Sequence, residues 1–278
     1  MKTFERKTDP TNVPISTKWL LESLQDAISN PRLRRTDEEL LLLRQRALVE
    51  STISSNRIEG VTIDHSRAGA VVFGSMPLYD SNEREVRGYV QALKLIAEKG
   101  VTLQMSEETI LQLHSISRAT IGDAGQYRTN ESDIIEKYAD GRERVRLKAV
   151  AANDTPTFMR KLIEAWRQNE QQDRIHPLIA AAAMNLDFLC IHPFRDGNGR
   201  VSRLLLQLPF SRAGYVVGRY VSLERLIEAH KERYYETLDQ SSQGWYESRH
   251  DPWPYINFIL FILKTAYREF EEPESNSA

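Results

Sequence analysis

Apolar residues recur every three to four positions along most of the chain, which is the spacing of helices that bury one face. This pattern predicts helices over residues 16–29, 37–59, 66–73, 83–99, 106–118, 155–169, 177–191, 200–208, 223–241 and 254–271. The helix at 177–191 is alanine-rich and apolar, which predicts a position inside the core. Asp37 is a candidate N-cap, and Gly60 suits the position after the end of the same helix.

Residues 132–147 depart from the helical pattern and predict two short strands around Ala139-Asp140-Gly141-Arg142, where the Asp-Gly step favours a tight hairpin turn. The expected fold class is therefore all-α, a helical core with one small β-hairpin over residues 130–148. We divide the chain into an N-terminal arm and short helix at 1–36, N-terminal helices at 37–104, a core at 105–272 and a polar tail at 273–278, which we expect to be disordered.

The most informative stretch follows the helix at 177–191 and has the sequence His192-Pro193-Phe194-Arg195-Asp196-Gly197-Asn198-Gly199-Arg200-Val201-Ser202-Arg203. Pro193 disfavours helix at the residue before it, and glycine and asparagine tolerate the positive φ values of a turn. A glycine-rich turn that opens into a helix N-terminus presents backbone N–H groups to an anion. The stretch therefore predicts a phosphate-binding loop between two helices, the second of which Pro209 should kink or end early.

Four side chains of this stretch supply further chemistry. Arg200 and Arg203 lie three residues apart on one helix face, and guanidinium groups suit phosphate oxygens. Asp196 is a candidate ligand for a divalent cation that also binds phosphates. His192 is a candidate general base for an attacking hydroxyl. Together these groups predict phosphoryl or nucleotidyl transfer.

The run from His192 to Arg203 matches the motif His-Pro-Phe-x-[Asp/Glu]-Gly-Asn-Gly-Arg-x-x-Arg at every fixed position, and the chain therefore resembles the Fic family. A second segment, Ser55-Asn56-Arg57-Ile58-Glu59-Gly60, resembles the family's inhibitory motif, [Ser/Thr]-x-x-x-Glu-[Gly/Asn]. Gly125 to Thr129 resembles the segment that leads into the target-binding flap, and Tyr234-Tyr235 resembles a pair near the adenosine pocket. The resemblance covers residues 45–265.

The resemblance implies a helical catalytic core that uses ATP and Mg²⁺ to transfer AMP to a Ser, Thr or Tyr hydroxyl of a target protein. On this interpretation His192 is the base, Asp196 holds Mg²⁺, and the hairpin, as the flap, aligns the target by strand pairing. The nucleotide is then bound by Gly197, Asn198, Gly199, Arg200, Arg203 and Tyr234. The α-phosphate is assigned to the loop, the leaving group to Arg200 and the γ-phosphate to Arg203.

The inhibitory motif implies that the helix at 37–59 represses the chain to which it belongs. Ser55 and Glu59 are four residues apart and share a helix face. We expect Glu59 to pair with Arg203 in place of the γ-phosphate, and Ser55 to hold the Glu59 carboxylate. The alternative is that these residues form an ordinary solvated helix end.

Two other functions stay open at this point. Some members of the family remove AMP or transfer another phosphate-containing group. A regulatory or toxin–antitoxin module that binds nucleotide but is seldom active is the non-enzymatic alternative.

The amino-acid composition limits the classes of partner and the cellular compartment that we expect for this chain. The formal net charge is −2, so no excess of positive charge predicts a nucleic-acid partner. Cys190 is the only cysteine, which excludes an intrachain disulfide and fits a reducing cytoplasm, and no signal segment or membrane span is apparent. We therefore expect a cytoplasmic chain that binds a protein substrate and modifies itself, and whether it forms a homodimer stays open. His114 and the other scattered histidines receive no role.

Overall fold

A computed structural model describes residues 3, 8–30, 35–74, 76–118, 122–132, 134–137, 143–172 and 174–272. Its helices are α1 (Ile15–Ile28), α2 (Asp37–Ile58), α3 (Ala68–Phe73), α4 (Ser81–Lys99), α5 (Glu107–Arg118), α6 (Thr155–Gln172), α7 (Pro177–Ile191), α8 (Asn198–Arg212), α9 (Leu223–Ala229), α10 (Lys231–Ser242) and α11 (Trp253–Glu271). Two short antiparallel strands, β1 (Ile134–Lys137) and β2 (Glu143–Leu147), pair between α5 and α6. The predicted helical fold is confirmed, while the predicted turn at 139–142 and tail at 273–278 lie outside the described residues.

Helix α7 forms the centre of the core. Every residue from Leu178 to Ile191 is buried, and the helix packs against α6, α8, α10 and α11. Its run of alanines allows close approach on several sides, and Pro177 occupies a first-turn position where a missing N–H costs little. The predicted bounds of this helix are confirmed, and its C-terminus delivers His192 to the loop that follows.

The N-cap of helix α2 lies one residue earlier than we predicted. Thr36, and not Asp37, is the N-cap: its hydroxyl accepts from the Glu39 N–H, and the Glu39 carboxylate accepts from the Thr36 N–H. The helix ends at Ile58, with Glu59 as C-cap and Gly60 at φ 81°. Because α2 packs against α4, α8 and α9, its last turn is directed to the start of α8.

Two other boundaries differ from the expected ones. The single helix predicted at 223–241 is two helices, α9 and α10, because the backbone of His230 leaves helical geometry at φ −114° and ψ 31°. Pro209 lies in the last turn of α8, which continues only to Arg212. Within the described residues, no helix has both the length and the apolar composition that a bilayer crossing needs.

Candidate active site

Residues 192–199, here called the motif loop, turn sharply between α7 and α8. His192 adopts a left-handed conformation, with φ 52° and ψ 61°, and Gly197 does the same at φ 84°. Asn198 closes the loop on itself: its Oδ1 accepts from the Phe194 N–H at 2.9 Å, and its Nδ2 donates to the Phe194 carbonyl at 2.7 Å. The amide that we expected to bind the α-phosphate is therefore occupied in shaping the loop.

Arg128 fixes the first half of the motif loop, which agrees with the structural interpretation of Tyr127 and Arg128 as residues that pin a loop to the core and not with a role in the flap alone. Its buried guanidinium donates from Nε to the His192 carbonyl at 2.8 Å and from a terminal nitrogen to the Val150 carbonyl. Its backbone N–H donates to the Pro193 carbonyl at 3.0 Å. A cation beside carbonyls at the C-terminal end of α7 is electrostatically favourable, so Arg128 holds His192 in its strained conformation.

His114 supports the other half of the loop and was missed. Its ring stacks on Phe194, with centroids 3.7 Å apart and planes within 3°. The Gly125 N–H donates to Nδ1 at 2.9 Å, so the hydrogen of the neutral ring is on Nε2, which donates to the Asp196 carbonyl at 3.1 Å. Burial is the main cause that lowers the pKa of His114 to about 4. The ring is therefore neutral at physiological pH and acts as a fixed strut.

A buried carboxylate, Glu85 on α4, joins two arginines beside the loop. Arg118 donates to Glu85 at 3.0 Å and to Asp196 Oδ2 at 2.6 Å. Arg200 donates to the same Glu85 oxygen at 2.5 Å and to Asn56 Oδ1 at 3.3 Å. The Arg200 side chain is only 1% exposed, so it is ion-paired inside the protein and does not stand free at the loop as we expected.

Glu59 and Arg203 form the expected pair, with Arg203 Nη2 2.8 Å from Glu59 Oε1. Ser55 contributes differently from the prediction: its hydroxyl accepts from Arg203 Nε at 2.9 Å, and its carbonyl accepts from Nη2 at 2.9 Å. Ser55 therefore orients the guanidinium, and no hydrogen bond between Ser55 and Glu59 is found among these contacts. We call the contact of Ser55 and Glu59 with Arg203 the latch.

The Glu59 carboxylate lies against the backbone at the start of α8. An ideal Cβ placed on Gly199 would be 2.2 Å from Glu59 Oε1, so the absence of a side chain at this position is what admits the carboxylate. A helix N-terminus favours negative charge, and Gly199 is in the first turn of α8. Glu59 thus places its negative charge where the loop is suited to an anion. Although burial opposes it, the charge of Glu59 raises the pKa of Arg203 above its ordinary value.

His192 keeps the protonation state that a base requires. Burial, which disfavours the imidazolium, lowers the pKa of His192 to about 4, and Arg128 acts in the same direction.

Tyr234, which we expected at an adenosine pocket, is 3% exposed and packs against Tyr255 and Phe258, because it occupies the face of α10 turned to α11. Its neighbour Tyr235 is partly exposed.

The described residues contain no group of three or more His, Cys, Asp or Glu side chains with metal-ligand geometry. Asp196 nevertheless fits one kind of site. Its side chain is 56% exposed, and Mg²⁺ commonly takes one or two protein carboxylates and completes its shell with water and phosphate oxygens. The loop is therefore suited to a cation that arrives with a phosphorylated ligand.

The chain resembles known proteins in sequence. Residues 104–209 match the sequence model of the Fic/DOC family. The chain is 28% identical over 261 residues to a protein adenylyltransferase Fic of Nematostella vectensis, with 82% of this chain and 55% of that protein covered. A protein of the same name from Culex quinquefasciatus is 27% identical over 244 residues, with 86% and 44% covered. The chain spans about half the length of these relatives.

Solved structures share the fold. A Fic family protein from Desulfovibrio desulfuricans superposes with a TM-score of 0.73 at 24% identity, covering 92% of this chain and 74% of that one. A Fic domain containing signaling protein from Bacteroides thetaiotaomicron has a TM-score of 0.72 at 18% identity, covering 92% and 96%. At these sequence identities the structural similarity is evidence for the fold only.

The neutral state of His114 should appear in the pH dependence of stability. Because its pKa is about 4 when folded and 6.5 in model compounds, the unfolded chain takes up the proton first as pH falls. The free energy of unfolding of the wild type should fall by about 2 kcal/mol relative to His114→Gln between about pH 7.5 and about pH 5. Urea unfolding of both proteins measures this difference, and a difference independent of pH would contradict it.

Proposed function

Because the chain carries a Fic domain, we propose that it transfers AMP from ATP to a hydroxyl group of a protein. The observation that carries the proposal is a neutral, fixed His192 at one side of a loop whose other side is the anion-binding start of α8. The names of the relatives support the same reaction. ATP is accordingly the proposed nucleotide.

In the proposed reaction His192 accepts the proton of a Ser, Thr or Tyr hydroxyl on the target. The hydroxyl oxygen then forms a bond to the α-phosphorus, while the bond from that phosphorus to the oxygen bridging to the β-phosphate breaks. Pyrophosphate leaves with the bonding electron pair, and the proton stays on the imidazole. A pKa of about 4 in the unliganded protein keeps His192 unprotonated for this step, and the negative phosphates favour the imidazolium that results.

The side chains divide into those that touch nucleotide and those that position them. We assign the phosphates to the backbone N–H group of Gly199 and to Arg203, whereas the Gly197 N–H, which the resemblance also implied, donates to Asp196 Oδ1 at 2.6 Å. Asn198 and Arg200 act through the shape of the loop and the Glu85 network, because their polar groups are already bonded within the protein. Asp196 would hold Mg²⁺, which supplies charge neutralisation for the phosphates.

The latch is the proposed means of repression. Glu59 holds the guanidinium that a γ-phosphate needs, and the same carboxylate places its negative charge beside Gly199. A nucleotide that enters under these conditions cannot place its phosphates in line with the attacking hydroxyl, and such misplacement is costly in rate. The target protein is proposed to pair with the strands β1 and β2, and one target is the chain itself.

Removal of AMP is the second candidate, because Glu59 also offers a carboxylate that is 27% exposed beside the loop and is able to orient a water. A radioactive label distinguishes transfer of AMP from removal of AMP. Transfer places label from [α-³²P]ATP, but not from [γ-³²P]ATP, on protein, whereas removal releases AMP from a previously modified target. Nucleotide binding with neither outcome would favour the non-enzymatic module.

Opening the latch should activate transfer. Glu59→Ala frees Arg203 and removes the charge at Gly199, so self-modification with Mg·ATP should be at least about tenfold faster than in the wild type, since a geometric constraint on the phosphates is lifted. Glu50→Ala is the matched control, because Glu50 lies on the same helix and pairs with Arg46 and Arg225, away from the loop. Equal rates in all three proteins would refute repression by Glu59.

Loss of the base should separate chemistry from binding. In a Glu59→Ala background, His192→Ala should lower transfer by about 10²–10⁴-fold, as expected when a general base is removed. The affinity for ATP should stay within about threefold, since no phosphate contact is assigned to the imidazole. Rapid transfer by the double variant would remove His192 from the mechanism.

Asp196 should set the dependence on magnesium. In the same Glu59→Ala background, Asp196→Ala should raise the Mg²⁺ concentration needed for half-maximal transfer by about tenfold or more, because the exposed carboxylate of the loop is lost. Titrating Mg²⁺ at constant free ATP gives the value. Asp154→Ala, an acidic residue on the turn before α6, serves as control. An unchanged titration in Asp196→Ala would exclude this ligand.

A further inference from the structure

A cavity of about 240 Å³ lies between α2, α4, α8 and the 3-10 turn Val217–Arg219, outside the motif loop. Its inner wall is apolar and buried, and consists mainly of Ala47, Leu93 and Ile96. Its mouth carries the exposed residues Arg44 and Lys94. The cavity therefore combines an apolar interior with a polar opening, which is the composition of a small-molecule site.

The charges around this cavity have one sign. Arg44, Lys94 and Arg219 line it, and the lining that the structure describes includes no carboxylate. Arg44 is held in place, since it donates to the Tyr220 hydroxyl at 2.9 Å. Arg219 is partly buried, and no acceptor is found for its Nε within the described part of the chain. Charge-assisted hydrogen bonds are stronger than neutral ones, so an anionic group beside these cations would be favoured.

The size limits the ligand. A volume of about 240 Å³ is below the roughly 300–1,000 Å³ of pockets for drug-sized ligands, so the occupant is smaller, on the order of ten non-hydrogen atoms. We propose that this cavity binds a small amphipathic anion, a carboxylate with an apolar chain of about eight atoms, with its charged group at Arg219 and Arg44. Its apolar chain packs against Ala47, Leu93 and Ile96.

The cavity is one helical turn from the latch on both helices. Ser51 lines it and precedes Ser55 by four residues on α2, while Gln207 lines it and follows Arg203 by four residues on α8. The cavity therefore exists in the form in which α2 and α8 are held together by the latch. A ligand that fits the cavity stabilises that form. By thermodynamic linkage, the ligand lowers the affinity for ATP by the same factor by which ATP lowers the affinity for the ligand. This regulatory half rests on the proposed function, whereas the binding half does not.

Binding is tested with octanoate as the probe, by isothermal titration calorimetry on the full chain. Wild type should bind one equivalent saturably, and octylammonium, which has the same chain and the opposite charge, should not bind. Arg219→Gln should weaken the binding of octanoate by about tenfold or more, since a charge-assisted contact is lost. Arg212→Gln is the matched control, because Arg212 lies on α8 outside the cavity and pairs with Glu170.

A second variant removes the space and keeps the charges. Ala97 is exposed and lines the cavity, so Ala97→Trp should fill the mouth and abolish binding. The absence of saturable binding to the wild type, or equal affinity in wild type and Arg219→Gln, would overturn the anion site.

The coupling is measured as the affinity for ATP with and without saturating octanoate. Octanoate should weaken ATP binding several-fold in the wild type and leave it unchanged in Glu59→Ala, where no latch exists to be stabilised. An unchanged ATP affinity in the wild type, with octanoate bound, would overturn the regulatory half. If Glu59→Ala binds octanoate but no ATP, the proposed nucleotide site fails and the anion site stands.

Discussion

Four buried guanidinium groups surround one short loop, and the need to give each of them acceptors shapes the rest of the site. Arg128 is bonded to the carbonyls at the end of α7, Arg118 and Arg200 share Glu85, and Arg203 is held by the latch. A buried charge that loses its partner costs about 3–5 kcal/mol. The loop can therefore be altered only where a new partner replaces the old one.

This constraint separates two kinds of residue that stand side by side in the chain. Asn198 and Arg200 are occupied within the protein, and they keep the loop in one conformation. Asp196 is exposed at the loop surface, and His192 and Gly199 are partly exposed there. Preorganisation of this kind is what a transfer reaction requires, because positioning and charge stabilisation supply most of the rate in phosphoryl chemistry.

Arg203 differs from the other three arginines in having a partner that a ligand can replace. Glu59 is 27% exposed and sits at the C-cap of α2, where Gly60 lets the chain turn away. A γ-phosphate is an equivalent acceptor, so exchange of carboxylate for phosphate conserves the ion pair. Under the proposed function, the carboxylate and the γ-phosphate compete for one guanidinium, and the proposed anion site beyond Ser51 and Gln207 is where a second ligand would bias this competition.

The local pattern of the chain is enough to predict most helices and the loop between α7 and α8, because these features depend on apolar periodicity and on the turn chemistry of Asp-Gly-Asn-Gly. The pairing of Glu59 with Arg203 joins residues that are 144 positions apart, and it is predicted only by the resemblance of Ser55 to Gly60 to an inhibitory motif. The break at His230 and the capping by Thr36 were missed, since alternatives one or two residues apart differ little in local propensity.

Only the tertiary structure decided which other side chains complete the site. His114 is 82 residues and Arg118 78 residues from Asp196, and Glu85 is 115 residues from Arg200. In the sequence Glu85 is one of several charged residues on an amphipathic helix, and nothing local marks it as the one that faces inward to two arginines. Packing also reversed the part expected of Ser55, because the direction of its hydroxyl depends on where Arg203 enters and not on the four-residue spacing to Glu59. Local spacing determines which residues share a helix face, whereas the burial of a charge selects its partner from the whole fold.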